Sequence, residues 1–148
     1  MFSDLTPEGK RYVEELKKLE RLEVQVGYWR GKNFEDNGAD LVDVALYNEL
    51  GTSTSPARPF MKQSFENHED DLQNACDEVN AELSRGGTAV QALENLGTFG
   101  KALVQQEIID GEFEPNSAAT INKKKSERPL IDTGTMRQSV DFKVVKRT

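Results

Sequence analysis

Residues 40–60, DLVDVALYNELGTSTSPARPF, decide the fold of this 148-residue chain. Of the ten residues that follow Asp40, seven are apolar, which predicts a helix over residues 40–50 that is buried on most sides. Asp40 can cap the start of this helix, and Gly51 can end it. Residues 51–60 then form a polar loop that closes with Arg-Pro-Phe. We therefore expect a buried helix that is followed directly by a loop on the surface.

Helices and short strands are predicted on both sides of this segment. Thr6-Pro7-Glu8 is typical of a helix start, because a hydroxyl can cap the helix and proline suits its first position. Apolar residues that alternate from Leu22 and from Val140 predict two paired strands. The predicted elements are a helix at 6–20, a strand at 22–30, the helix at 40–50, the loop at 51–60, long helices at 60–85 and 88–110, an extended connection at 112–131, and a C-terminal strand at 139–146.

Together these elements predict an α+β fold in a single domain, residues 1–148. A small antiparallel or mixed sheet is expected to pack against the two long helices and the buried central helix. Two strands alone are marginal in water, so the sheet needs a third strand from residues 30–40 or from another subunit, or depends on the helices. Gly97 and Gly100 each cost about 1 kcal/mol inside a helix relative to alanine. Close approach to a neighbouring backbone is expected to compensate.

Composition excludes several classes of protein. No apolar run approaches the roughly 20 residues that cross a bilayer, so no membrane segment is predicted, and the N-terminus does not look like a signal peptide. The single cysteine, Cys76, excludes an internal disulfide framework and a cysteine-rich zinc site. We expect Cys76 to be a small buried hydrophobic residue.

Charge is unevenly distributed along the chain. The net charge is −7, which argues against generic binding to the outside of a nucleic acid. Residues 1–120 carry 11 Lys or Arg and 23 Asp or Glu, a charge of −12, whereas residues 121–148 carry 8 and 3, a charge of +5. This segregation is typical of an acidic surface with a basic tail. It is also compatible with head-to-tail contacts between the basic end of one subunit and the acidic face of the next.

The sequence offers little for catalysis or metal binding. Its one histidine, His68, lies on a predicted packed helix among solvated carboxylates, which is weak support for a metal site or a catalytic triad. Asp132-Thr133-Gly134 matches an aspartic-protease triplet, but such a triplet needs a β-barrel and a partner aspartate. We predict that the chain is not an enzyme, and we predict no catalytic, cofactor-binding or metal-binding residue.

A resemblance to a known family rests on two short motifs. Asn48-Glu49-Leu50-Gly51-Thr52 followed by Pro56-Ala57-Arg58-Pro59-Phe60, with Pro129-Leu130-Ile131-Asp132-Thr133-Gly134 downstream, resembles the tail-completion, or neck, proteins of tailed bacteriophages. The match spans roughly residues 40–142. An aromatic residue is commoner in that family at the position of Leu50.

The resemblance implies a structural virion protein, assembled in the host cytoplasm, that joins head to tail. Its expected partners are other copies in a homo-oligomeric ring, other head-tail connector proteins and tail-tube proteins. Alternatives are a tail-terminator ring protein and, in a different class, an acidic binding module such as a DNA-mimic inhibitor. Arg58 is expected to contact a carboxylate or carbonyl of a partner, with Phe60 as an apolar anchor or a core residue. The candidate interaction residues are Asn48, Glu49, Gly51, Arg58, Pro59, Phe60, Asp132, Thr133 and Gly134, together with Lys123, Lys124 and Lys125, which could contact DNA in a lumen or acidic groups on a neighbour.

Overall fold

The computed structural model describes residues 4–111 and 134–148. The α+β class is confirmed, because these residues combine helices with a two-stranded antiparallel sheet that packs against a long helix. The predicted connection at 112–131 lies outside the described residues. The elements, in chain order, are α1 (Pro7–Glu20), β1 (Leu22–Gly27), α2 (Leu41–Leu50), α3 (Phe60–Glu66), α4 (Glu69–Ser84), α5 (Ala89–Asp110), α6 (Thr135–Ser139) and β2 (Asp141–Lys146).

The described residues divide into two compact units. The sheet unit contains residues 4–26, 69–100 and 142–148, and the loop unit contains residues 27–68, 101–111 and 134–141. The long helix α5 contributes residues to both units. Whether residues 1–148 form a single domain stays a prediction.

The core of the sheet unit lies where α4 and α5 meet. Val79 and Leu83 of α4 are buried in one cluster with Ala92 and Leu93 of α5. Partly buried apolar side chains of α1 and the sheet pack against that cluster, namely Tyr12, Leu16, Leu19, Leu22, Val24 and Val144. The predicted packing of the sheet against a long helix is therefore confirmed for α5, and α4 contributes to the same cluster.

Glycine in α5 allows the sheet to approach this helix closely. A Cβ atom built on Gly97 would lie 2.2 Å from Cδ2 of Phe142, and one on Gly100 would lie 3.2 Å from Cγ2 of Val26. Close approach was expected at both positions, but the neighbouring atoms belong to side chains of the sheet rather than to a backbone. Gly97 is thus needed because no other residue leaves room for the phenyl ring.

Two polar side chains of α1 fix the turn between α4 and α5. Arg11 donates to the carbonyl oxygens of Leu83 and Gly87 at 2.6 and 3.0 Å. The carboxylate of Glu15 accepts a 2.8 Å hydrogen bond from the backbone N–H of Ala89, the first residue of α5. The predicted cap of α1 also forms, since Thr6 accepts from the N–H of Gly9 at 3.1 Å.

The prediction of one continuous helix over 60–85 is wrong. This segment contains two helices, α3 and α4, separated at Asn67 and His68. The side chain of Asn67 donates to Glu107 at 3.0 Å, and Nδ1 of His68 lies 2.8 Å from the carbonyl oxygen of Ser64. Local hydrogen bonds to side chains compete with helical ones, and the acids that follow, Glu69-Asp70-Asp71, are typical of a helix start.

Two strand bounds need correction, and one of the alternative supports of the sheet is not found among the described residues. The first strand ends at Gly27 rather than at residue 30, because Tyr28 turns inward and donates from its hydroxyl to the carbonyl of Met136 at 2.7 Å. The C-terminal strand begins at Asp141 rather than 139, where α6 ends. Within the described residues, the segment at 30–40 adds only an isolated bridge between Phe34 and Asp40 and no third strand.

The cysteine and the central helix are both more exposed than predicted. Cys76 is exposed on α4. In α2, burial on most sides holds for Leu41 and Ala45 but not for the C-terminal half of the helix.

Candidate interaction site

Polar contacts fix the N-terminus of α2. The carboxylate of Asp40 accepts hydrogen bonds from the N–H groups of Val42 at 3.0 Å and Gly31 at 2.8 Å. Arg30 forms a two-point contact with Asp43 at 2.8 and 3.1 Å. The hydrogen bond from Arg30 lowers the pKa of Asp43. The predicted cap at Asp40 is therefore confirmed, and the loop before α2 is tied to its first turn.

The C-terminal half of α2 presents a contiguous apolar face. The exposed fractions are 49% for Leu46, 58% for Tyr47 and 69% for Leu50. Residues three and four apart are neighbours on a helix surface, so these three side chains form one patch, which we call the α2 face. Concentrated exposed apolar groups mark surfaces that bind other proteins.

An apolar groove adjoins the α2 face. Its volume is about 220 Å³ and its lining residues are Gly27, Tyr28, Val42, Ala45, Leu46, Glu49 and Met61. Leu46 belongs both to the groove and to the exposed face. An apolar side chain of a partner could enter the groove while the rest of the partner covers Tyr47 and Leu50.

An exposed loop follows the α2 face directly. Gly51 ends α2 with φ = 77°, in the left-handed region, and a Cβ atom there would lie 2.7 Å from the backbone nitrogen of Ala57. The residues from Thr52 to Ala57 are all exposed. Thr52 organises this loop, because its hydroxyl accepts from the N–H groups of Thr54 and Ser55 at 3.3 and 3.1 Å. The predicted surface loop is thus confirmed.

Three motif residues hold the ends of this loop together. The N–H of Arg58 donates to the carbonyl of Asn48 at 2.5 Å. The carboxylate of Glu49 accepts hydrogen bonds from the N–H groups of Met61 at 2.9 Å and Lys62 at 3.3 Å. Both N–H groups belong to the first turn of α3, where backbone N–H groups have no partner within the helix. Asn48, Glu49 and Arg58, like Gly51, therefore act inside the subunit, as supports of the loop.

Arg58 and Phe60 are also inside the subunit. Arg58 is only 8% exposed, which corrects the expectation that its side chain reaches a partner. Phe60 is fully buried, with its ring edge against Tyr28 at a centroid distance of 6.3 Å. The core role of Phe60 is thus confirmed. Pro59 directly precedes α3. The burial of Arg58 would not be recognised from the sequence, because a charged side chain in a polar loop is ordinarily exposed.

The downstream motif can be described only at its end. Lys123, Lys124, Lys125, Asp132 and Thr133 lie outside the described residues. Gly134 adopts φ = 70° and precedes α6, whose Met136 is buried. The sulfur of Met136 lies 3.6 Å from the side-chain nitrogen of Asn48. The helix that follows the downstream motif, α6, therefore packs on α2, whose C-terminal end carries the first motif.

No metal-binding cluster and no membrane-spanning helix is found in the described ranges, 4–111 and 134–148. No group of three or more His, Cys, Asp or Glu side chains in these ranges is placed to hold a metal ion. None of the helices there is both long and apolar enough to span a bilayer. What the site offers is an apolar face, an adjoining groove and an ordered polar loop.

Comparison with known proteins adds no identification. No protein-family model matches the chain, and neither the curated proteins nor the solved structures contain a significant match.

Proposed function

We propose that this chain is a structural virion protein of a tailed bacteriophage and forms part of the neck, or tail-completion, ring that joins head to tail. The observation that carries the proposal is the α2 face, which presents Leu46, Tyr47 and Leu50 to solvent beside an ordered loop. The resemblance of Asn48–Thr52 and Pro56–Phe60 to neck proteins supports the choice of this class.

In this proposal, binding energy rather than chemistry joins head and tail. Burial of an apolar side chain contributes about 1.5–3 kcal/mol, and aromatic residues are frequent anchors of protein interfaces. Tyr47 would serve as the anchor, Leu46 and Leu50 would flank it, and a side chain of the partner would enter the groove beside Met61.

The motif then has an indirect role in joining. Glu49, Gly51 and Arg58 hold the loop at 52–57 in one conformation before a partner arrives. A preorganised loop loses less conformational entropy on binding. The partners we propose are neighbouring copies in the ring, other connector proteins and tail-tube proteins, and the protein would reside in the neck of the virion after assembly in the host cytoplasm.

The experiment that tests the proposal is reconstitution of joining. Heads and tails from particles that lack this chain are mixed with purified protein, and joined particles are counted by electron microscopy. Wild-type protein should restore joining, whereas the variant L46Q/L50Q should not. L5Q/V90Q is the matched control, because it removes two other exposed apolar side chains, and it should restore joining.

Failure of the wild-type chain to join these particles would overturn the proposed function. Equal joining by L46Q/L50Q and the wild-type chain would overturn the assignment of the α2 face. Circular dichroism and urea unfolding of each variant separate a lost contact from a lost fold.

A further inference from the structure

Four basic side chains line one groove of the sheet unit, where the C-terminal ends of α1 and β2 lie side by side. A 2.8 Å hydrogen bond from the N–H of Arg147 to the carbonyl of Arg21 joins the two segments. The groove has a volume of about 620 Å³. Its charged side chains are Lys18, Arg21, Lys146 and Arg147, with Glu20 as the one acidic side chain. We call this surface the basic groove.

Most of the positive charge in the basic groove lacks a counter-charge. Lys18 pairs with Glu15 at 3.1 Å. Within the described residues, no salt bridge involves Arg21, Lys146 or Arg147, and all three are exposed. Like charges held close together repel one another unless an anionic group binds between them. The basic groove is therefore suited to an anionic partner.

A surface of the opposite sign lies on α4. This helix contains Glu69, Asp70, Asp71, Asp77, Glu78 and Glu82, and no lysine or arginine. Glu78 pairs with Arg85, but Glu69, Asp70 and Asp71 form no salt bridge in the part of the chain that the structure describes, and they are exposed. Asp70 and Asp77 are two helical turns apart, about 10 Å, on one side of the helix.

We propose that the basic groove of one subunit binds the acidic face of α4, centred on Asp70, Asp71 and Asp77, of a second copy. None of the α4 residues lines the basic groove, so the two surfaces remain available to different copies. The contact is heterologous, because it joins two different surfaces, and repetition closes a ring or extends a filament. The inference rests on the proposed ring and names the surfaces that join its neighbouring subunits.

A second copy fits the basic groove better than a nucleic acid does. The net charge of the chain is −7, which repels a polyanion at long range. The acidic face of α4 belongs to the same chain and is present at the same concentration as the groove. Its carboxylates are fixed on a helix, so little conformational entropy is lost when they bind.

A charge exchange tests this inference. Variant K146E/R147E reverses the groove and variant D70K/D71K reverses the α4 face. Each alone should weaken self-association, measured by sedimentation velocity at low salt, by about tenfold or more, because both of its surfaces then carry the same sign. An equal mixture of the two should recover the association, since the acidic groove of one meets the basic face of the other.

The matched control is K10E/K32E, which changes the net charge as much as K146E/R147E does but at exposed lysines outside the groove. It should associate like the wild-type chain, and wild-type association should fall as salt rises. A wild-type chain that stays monomeric at low salt, or a mixture that fails to recover association, would overturn the inference. If the chain restores head–tail joining but the charge-exchange variants do not behave as expected, the inference fails and the proposed function stands. If the charge-exchange variants behave as expected but the chain does not restore joining, the proposed function fails and the self-association surfaces stand.

Discussion

Glu15 accepts a hydrogen bond from the backbone N–H of Ala89, 74 residues away in the sequence. The carboxylate thereby caps the start of α5 from a different helix, while its own side chain is almost fully buried. The same hydrogen bond lowers the pKa of Glu15 below its ordinary value of 4.5. Nearby Lys18 lowers it further, although burial works in the opposite direction.

The lowered pKa of Glu15 predicts a pH dependence of stability. The charged carboxylate is favoured in the folded state, so its contribution is fully present above about pH 4.5 and is lost as the pH falls through the lower folded pKa. The free energy of unfolding in urea should therefore fall between pH 7 and pH 3 in the wild-type chain, and it should fall by less in E15Q. Glu14 is exposed and adjacent to Glu15 in the sequence, so E14Q is the control. The stability of E14Q should depend on pH as that of the wild-type chain does. The same pH dependence for E15Q and the wild type would contradict the prediction.

Replacement of Gly97 by alanine should destabilise the sheet unit. The added methyl group would lie 2.2 Å from the ring of Phe142, so either the ring or β2 must move. Overpacking of this kind typically costs about 1–3 kcal/mol, which exceeds the roughly 1 kcal/mol that alanine gains in a helix. The free energy of unfolding should fall for G97A.

G100A provides a comparison for this substitution within the same helix. The nearest atom to its added methyl group, Cγ2 of Val26, would lie 3.2 Å away and can yield more easily than a ring. The loss for G100A should be smaller than for G97A. Equal stability of G97A and the wild-type chain would show that Phe142 does not occupy this position.

The cap that Glu49 provides to α3 should also be measurable. Loss of a capping side chain costs about 0.5–2 kcal/mol, so E49A should lower the free energy of unfolding by about that amount. Glu66 of α3 is exposed and only pairs with Lys62, so E66A should change stability by less than about 0.5 kcal/mol. If E66A lowered the free energy of unfolding more than E49A does, Glu49 would not hold the loop.

Substitution on the α2 face should leave stability almost unchanged. Tyr47 and Leu50 are the most exposed large apolar residues of the described chain, and exposed substitutions usually stay within about 0.5 kcal/mol. Y47Q/L50Q should therefore unfold at nearly the wild-type urea concentration. The buried neighbour Leu41 gives the contrast, because L41A should lose about 2–5 kcal/mol. A large loss for Y47Q/L50Q would assign these residues to the fold rather than to a partner.

Local sequence signals predicted much of the fold. The caps at Thr6 and Asp40 and the helix end at Gly51 depend on neighbouring residues alone, and all three form. The break at Asn67 had a local signal as well, in the three acids that follow it, but the regular apolar spacing across 60–85 hid it.

The candidate site was harder to predict, for a physical reason. A helix that is apolar on most sides must be buried, but the sequence does not say whether its own chain or another chain buries it. Leu46, Tyr47 and Leu50 carry that ambiguity. Arg58 shows the converse case, because a charged residue at the end of a surface loop is only 8% exposed.

Electron cryo-microscopy of the head–tail junction of assembled phage particles would show whether this chain forms part of the neck. We expect density for this chain as a ring at the junction, with Leu46, Tyr47 and Leu50 covered by a neighbouring protein. A junction without this chain, or a ring in which the α2 face points into solvent, would contradict it.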